Sequence, residues 1–403
     1  MSLTPESRHD LLIIGAGISG LSMARYATGA GLDTLILEQA RQAGGCLDSH
    51  RFRGALDGFW LELGAHSAFN SYGKLLEMLE TAQSLDRLQL RAKVGFRIFA
   101  DGAVRRISSQ LTFSELLLAP FRWLKLKKTG CSVADYFKRI VGQRNYTAVF
   151  EPAFNAVICQ PAGSFPADGL FRSRPRRKDI PRSFTLAGGL QTIAGILADG
   201  LSVRFDQTVR DIRRTDDGFI VTAADGGKYH SRSLCLATPV ADAARLLQPA
   251  FPELAAALAQ IQTATVESVG VAVPKAQLKL PLVAGLIGRN EAFYSAVSRD
   301  TVPDPVWRGF TFHFRPGVLD ESGKLDCIAQ TLGLPRQELT NVVSKTNQLP
   351  ALRVGHDEWA RNLDRILAGT QLALTGNYFT GVAIEDCICR SRVEWERLQR
   401  GGG

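Results

Sequence analysis

The stretch Asp10–Glu38, DLLIIGAGISGLSMARYATGAGLDTLILE, decides the fold. Its apolar run Leu11–Ile14 reads as a buried parallel strand, and Thr34–Leu37 as a second. Between them Gly15-Ala16-Gly17-Ile18-Ser19-Gly20 opens a helix that runs to about Ala30. Each part has a physical task. Gly15 makes the tight turn, Gly17 lets backbone approach a pyrophosphate, and Gly20 lets the helix pack close to the strand. The helix start, with Ile18 and Ser19, offers free N–H groups and a positive dipole end to that anion. Glu38 ends the second strand where a carboxylate takes both ribose hydroxyls. It would repel a 2′-phosphate. The unit therefore predicts dinucleotide binding.

The chain has 403 residues, room for two domains and a large core. No apolar run reaches the length of a spanning helix. The first ten residues lack a charged-then-apolar leader pattern, which predicts a cytoplasmic protein or one on the cytosolic face of a membrane. Seven scattered cysteines suit a reducing compartment, and none has zinc-ligand spacing. The formal net charge is +9. Much of it crowds into Arg172, Arg174, Arg176, Arg177, Lys178 and Arg182, interleaved with Pro175 and Pro181. That segment reads as a solvated loop, a carboxylate-binding rim or a lipid-facing patch. No recognition-helix, RNP or zinc-finger pattern accompanies the charge, so nucleic acid is not an expected partner.

Directly after Glu38 comes Gln39–Asp48, QARQAGGCLD, an extension that NAD binding does not need. Arg41 can turn back toward phosphates, and Gly44-Gly45 let backbone pass close to something flat and bulky. Leu63-Gly64-Ala65-His66 is a second small-residue approach ahead of a helical stretch, Tyr72–Ala82. These motifs resemble the FAD-dependent flavin-containing amine oxidase superfamily, which includes amine oxidases, protoporphyrinogen oxidases and phytoene-type desaturases. The family's Gly-Gly-Arg reads Gly44-Gly45-Cys46 here. The resemblance continues in Phe184–Ile193, in Val209 (whose backbone touches adenine in relatives), and in the Leu234–Pro239 strand end with Thr238. It closes with Leu372–Cys387, LALTGNYFTGVAIEDC. It implies a strand ending at Gly376 and Asn377. A helix then starts near Val382, Ala383 and Ile384, its N–H groups directed at flavin N1 and O2. Gly381 allows close approach, and Asp386 sits in the first turn.

FAD is thus the implied cofactor, on an α/β fold. It comprises a Rossmann-like FAD-binding domain of the glutathione reductase type, discontinuous over 1–75, 185–245 and 350–403. A mixed-sheet plus helices substrate domain takes 76–184 and 246–349. Cys46 with Gly44 and Gly45, and Leu63 through His66, complete the implied cofactor contacts.

Ser132–Pro161, Leu349–His356 and Gly376–Cys387 are closest in pattern to bacterial protoporphyrinogen oxidase-like proteins. That implies removal of hydride from a bulky hydrophobic substrate, chemistry that needs positioning more than acid–base groups. Amine oxidases of the superfamily carry a lysine on a substrate-domain strand. The corresponding Thr265–Val273 has none, which weighs against the alternative of an amine or amino-acid oxidase. A polyene desaturase or isomerase is a third reading. A fourth is a non-catalytic flavin-binding partner protein, kept open by Cys46 and by Arg392 where the family has glycine. No catalytic base can be assigned. His66 and Tyr378 are weak candidates: His66 reads more readily as a structural histidine, and Tyr378 reads as readily as core. Arg172, Arg174 and Arg176 are the expected grips for substrate carboxylates, with Arg97 and Arg315 behind them. No second glycine fingerprint follows, so the expected electron acceptor is oxygen, a quinone or another protein. Finally Glu115–Lys128, ELLLAPFRWLKLKK, sets Leu116–Leu118, Phe121 and Trp123 beside Arg122, Lys125, Lys127 and Lys128. With the residues from 112 it reads either as an ordinary amphipathic helix broken at Pro120 or as a peripheral membrane contact.

Overall fold

The computed structural model describes residues 8–124 and 126–401. Lys125, counted above among the interfacial cations, lies outside them. Two large sheets organise the chain. The first contains the opening unit: strand Arg8–Ile14, helix Ile18–Gly29 and strand Thr34–Leu37. Arg8–Ile14 is central, parallel to Thr34–Leu37 on one side and to Lys228–Leu236 on the other. Lys228–Leu236 is long enough to serve two partners. Its first half pairs antiparallel with Gly218–Ala223, and its last three residues pair parallel with Leu372–Leu374. Val203–Arg204 adds an outer edge beside Thr34–Leu37. Segments some 200 and 360 residues from the start therefore fold into the sheet of the first strand.

Helices cover both faces, as parallel strands buried on two sides require. On one face Ile18–Gly29 packs with Gly73–Thr81, Gln191–Ala198 and Ile384–Gly401 around Leu11, Ile13 and Ile36. On the other, Val240–Leu247 and Pro252–Leu258 pack with His356–Leu367 against Leu12, Ile14 and Leu236. These cores carry two elements past the expected boundaries at 75 and 245. The apolar faces of Gly73–Thr81 and Pro252–Leu258 are buried against the first sheet and have no other core to join.

The second sheet has the order Asn341–Pro350, Thr263–Pro274, Trp307–Phe314, Phe293–Ser298, Gly285–Gly288, Phe96–Ala100, Ala103–Arg105. Alternation splits its faces. Val269, Val271, Val273, Phe310, Phe312 and Phe314 enter a core under helix Glu321–Leu332. The opposite face carries Ser268, Gly270, Thr311, His313, Lys345 and Asn347, and it meets the segment 59–67.

Glu394 locks the C-terminal helix to the first sheet. It is buried, accepts the Leu374 N–H at 3.1 Å, and pairs with Arg390 and Arg397, each at 2.9 Å. Replacing Glu394 with Ala leaves Arg397 with backbone carbonyls alone and Arg390 with Asp364 as its one remaining ion pair among the described residues, both guanidiniums having little solvent access. The expected cost is about 3–5 kcal/mol, read as a lowered melting temperature, whereas Arg392→Ala on the outer face should leave it nearly unchanged.

Candidate functional site

The glycine turn is built on backbone contact. A Cβ on Gly20 would lie 1.9 Å from the Gly15 carbonyl oxygen, and one on Gly15 would lie 2.7 Å from that of Ala237. Gly15 also has a φ of +102°, which a side chain disfavours. Gly17 differs: the nearest chain atom to a Cβ built there is 3.9 Å away. Its smallness is therefore not required by packing; it leaves the backbone open to a ligand. Glu38 is 9 % exposed and holds the turn, accepting the N–H of Ala16 at 2.6 Å through Oε2 and that of Ala40 at 2.8 Å through Oε1. Each oxygen keeps a second acceptor direction, which suits two vicinal hydroxyls. The Gln207 N–H bonds the Glu38 carbonyl at 2.8 Å, bringing the lead into Val209 alongside. Val209 itself opens strand Val209–Thr215 at a bulge, its side chain buried.

Gly44 and Gly45 pass directly across Gly17: Gly44 bridges it, and a Gly45 Cβ would lie 3.3 Å from its Cα. Cys46 then runs against Gly64 and Ala65. Its carbonyl accepts the Ala65 N–H at 2.9 Å, and a Gly64 Cβ would fall 2.1 Å from the same oxygen. The Cys46 thiol is exposed and free. Lys345 reaches across from the second sheet to the Asp48 carboxylate and to the Gly45 carbonyl. Asn347 donates to the Leu63 carbonyl at 2.8 Å and to Ser268 Oγ at 3.2 Å, and Ser268 Oγ also bonds His313 Nδ1 at 3.0 Å. These are contacts that the sequence reading missed. The signal was the polar alternation in Asn341–Pro350, an edge-strand pattern easily taken for solvent exposure.

At the far end, Gly376 and Gly381 again leave no room for a side chain: a Cβ would lie 2.5 Å from the Tyr378 ring and from Asp386 Oδ2 respectively. Asn377, Val382 and Ala383 are half-buried ahead of the helix that begins at Ile384. Ser391 ties this helix to the opening one, bonding the Ser19 carbonyl at 2.9 Å and Thr375 Oγ1 at 2.8 Å. Ile18, Ser19 and the start of Ile384–Gly401 thus converge. Thr238 stands next to the glycine turn with a buried hydroxyl that has no partner among the described residues. An open Gly17, a two-sided Glu38, a small-residue path along 44–46 and 63–65, and this orphaned hydroxyl form a cradle that fits FAD.

Several expected contacts fall elsewhere. Arg41 does not fold back on the turn; its side chain is 92 % exposed, 3.7 Å from Asp206, and Gln39 is exposed beside it. Tyr378 is fully buried in the core with Phe379 and Leu12, its hydroxyl without a partner among the described residues, so it is a packing residue. His66 reaches the cleft but is a poor base. Burial first, then Arg91 and His313, push its pKa down to about 3, and Nδ1 contacts Ser67 Oγ at 2.9 Å. Its ring is neutral at pH 7. In the basic loop, Arg174 is taken up by Asp386 at 2.5 Å, with Arg172 3.8 Å from the same oxygen. Arg176 is exposed. Arg392 lies outside, paired with Glu396 and 5.1 Å from the Tyr26 ring, so the glycine it replaces is not needed at the cradle.

A nucleotide-binding sheet whose cradle is completed by the C-terminal helix, facing a second sheet across a cleft, defines a class of two-sheet flavoproteins. The sequence profile described as "Flavin containing amine oxidoreductase" matches residues 18–306, well over half the chain. The chain belongs to this family, and its cofactor is FAD. Among curated proteins it is 29 % identical to a coproporphyrinogen III oxidase of Propionibacterium freudenreichii subsp. freudenreichii over 231 residues, 52 % of this chain and 43 % of that one. It is 33 % identical to the 15-cis-phytoene desaturase of Narcissus pseudonarcissus over 116 residues, 29 % of this chain and 20 % of the other. The chain thus spans from a fifth to less than half of the length of these relatives. Among solved structures, a protein provisionally assigned as a protoporphyrinogen oxidase from Exiguobacterium sp. 255-15 superposes with a TM-score of 0.82 at 18 % identity, covering 98 % of this chain and 99 % of that one. That likeness establishes the fold.

If Glu38 holds the ribose as its two free acceptor directions suggest, Glu38→Ala should emerge from gel filtration with little flavin, since two hydroxyl contacts of about 1.5–3 kcal/mol each to a charged acceptor would be lost. The flavin-to-protein absorbance ratio checks this. Arg41→Ala should retain its flavin.

Proposed function

We propose that this chain is an FAD-dependent oxidoreductase that takes hydride from a bulky hydrophobic substrate, in the manner of protoporphyrinogen oxidases. The observation that carries the reading is the cleft at Leu63–Ser67. There Asn347 of the second sheet donates directly to the Leu63 carbonyl, and Ser268 and His313 are linked to Asn347 by hydrogen bonds on the same face. FAD, when bound, supplies the hydride acceptor. The chain's own part is to bind, orient and exclude water. Asn347 and Ser268 fix the turn that presents His66. Neutral His66 and His313, the latter lowered to about 4 by burial, put no charge beside an apolar substrate. Neither histidine at the cleft is poised to move a proton, which suits chemistry driven by position.

The same site disfavours an amine oxidase. The one lysine on this face among the described residues is Lys345, and it is engaged by Asp48 and the Gly45 carbonyl. In this reading the cofactor domain comprises the pieces around 1–75, 185–245 and 350–403 with the helices Gly73–Thr81 and Pro252–Leu258 that pack on its sheet, and the remainder holds substrate. The electrons leave to oxygen, a quinone or another protein.

A membrane contact belongs to the proposal. Helices Phe113–Leu116 and Ala119–Leu124 are separated next to Pro120, and Phe113, Leu117, Leu118, Phe121, Trp123 and Leu124 are all more than half exposed. Arg122 and Lys127 lie beside them. Monomers seldom expose so much contiguous apolar bulk, and aromatic side chains beside cations suit a lipid interface. No helix among the described residues is long and apolar enough to cross a membrane. Delivery of an apolar substrate from the lipid surface follows naturally.

Anaerobic titration tests the activity. Coproporphyrinogen or protoporphyrinogen should bleach the flavin absorbance of the loaded protein, while putrescine and 15-cis-phytoene should not. Bleaching by an amine alone would overturn the reading. Flotation with anionic vesicles tests the surface: a Phe121→Ser, Trp123→Ser double variant should partition at least roughly 10-fold less, from the apolar area withdrawn.

A further inference from the structure

We infer that Arg91 and Arg299 form a subsite for one carboxylate of the substrate, an inference that rests on the bulky-substrate reading above and sharpens it. The two arginines line a recess with Trp60, Glu62, His66 and Thr301. Its volume is about 30 Å³, room for a carboxylate headgroup but not for the body of a large substrate. The recess therefore suits an appendage, with the body lying in the cleft outside His66.

Both guanidiniums are preorganised and unspent. Arg299 is stacked 3.6 Å above the Trp60 ring and 5.2 Å from that of Phe59, and it donates through NH1 to the Val302 carbonyl. Its buried Nε has no partner among the described residues. Arg91 donates only to neutral hydroxyls: Thr301 Oγ1 at 3.2 Å, Ser183 Oγ at 3.4 Å, and Ser67 Oγ. Among the described residues neither arginine is in an ion pair. Thr185, 3 % exposed, adds a buried hydroxyl without a partner to the same recess.

The surrounding charges do not cancel the two cations. Glu62 spends Oε1 on the Leu190 N–H at 2.8 Å and Oε2 on Ser49 Oγ at 2.5 Å. Burial, against those two bonds and the nearby arginines, raises its pKa to about 7, so it carries only part of a charge at neutral pH. His66 is neutral. Asp304 reaches Arg299 only through space, and burial still pulls the Arg299 pKa down to about 10. Asp300, the carboxylate next along the chain, is consumed by Arg308 at 2.5 Å. Burying a guanidinium without a counter-charge is costly. An incoming carboxylate removes that cost and gains charge-assisted hydrogen bonds. The loop arginines contrast with this: Arg174 is bound to Asp386, and Arg177 to Glu80 and Asp179.

The test compares FAD-loaded wild type with Arg299→Gln and Arg91→Gln, using binding rather than turnover. The probes are coproporphyrin III, its tetramethyl ester and benzoate, followed by fluorescence. The expected result is a loss of 10-fold or more in affinity for coproporphyrin III and for benzoate in each variant. The ester should bind equally to all three proteins, and flavin content should be unchanged. An equal loss for acid and ester, or no loss for the acid, overturns the subsite. So does wild type that binds no carboxylate through these arginines. Arginine-dependent benzoate binding in a protein whose flavin no porphyrinogen reduces would instead keep the subsite and discard the proposed reaction. Arginine-dependent binding of phosphate in preference to benzoate at equal charge would assign the recess to a free inorganic anion and overturn it as a substrate site.

Discussion

Backbone lying on backbone at the glycine turn is the constraint from which the rest of the molecule follows. Gly15, Gly20, Gly44, Gly45 and Gly64 bring four chain segments closer than any side chain would permit, and Glu38 clamps the turn by taking two N–H groups. Because these contacts are steric, they tolerate almost no substitution. Because they leave Gly17 open, they also expose peptide groups to an anion. The C-terminal helix can complete the cradle only because Ser391 and Glu394 tie it to the opening helix and to Leu374.

The fate of the arginines separates structure from recognition. Most of the positive charge is either solvated or neutralised within the chain. Arg174 closes on the first turn of the last helix, Arg390 and Arg397 on Glu394, and Arg308 on Asp300. Such pairs fix geometry and have no capacity left for a ligand. Arg91 and Arg299 are partly buried and held by aromatic stacking and hydroxyls, with no carboxylate in an ion pair with either among the described residues. The density of charge along the sequence pointed to the 172–182 loop. Pairing in three dimensions shifts attention to two isolated arginines 208 positions apart.

The second sheet has two faces with different duties. One carries valines and phenylalanines into a core; the other places Ser268, His313, Lys345 and Asn347 against the cofactor path. On this face Lys345 is engaged by Asp48 and the Gly45 carbonyl, and burial keeps both histidines neutral. The exposed apolar residues around Phe121 and Trp123 lie on a separate helical segment.

The amino-acid order alone determined the opening strand–helix–strand unit, its glycines and its acid, since these are local: a 2-residue or 3.6-residue period and a turn that only glycine allows. The family resemblance added the expectation that distant motifs near 185–245 and 372–387 serve the same cofactor, and those stretches join or pack on the sheet of the first strand. Tertiary structure alone decided which way side chains point. Arg41 turns to Asp206 rather than to the turn, Tyr378 enters the core, and Gly73–Thr81 and Pro252–Leu258 join the first sheet. Those outcomes depend on which neighbour arrives across 100 or more residues, and an ion pair or a buried ring is a property of that meeting rather than of either segment.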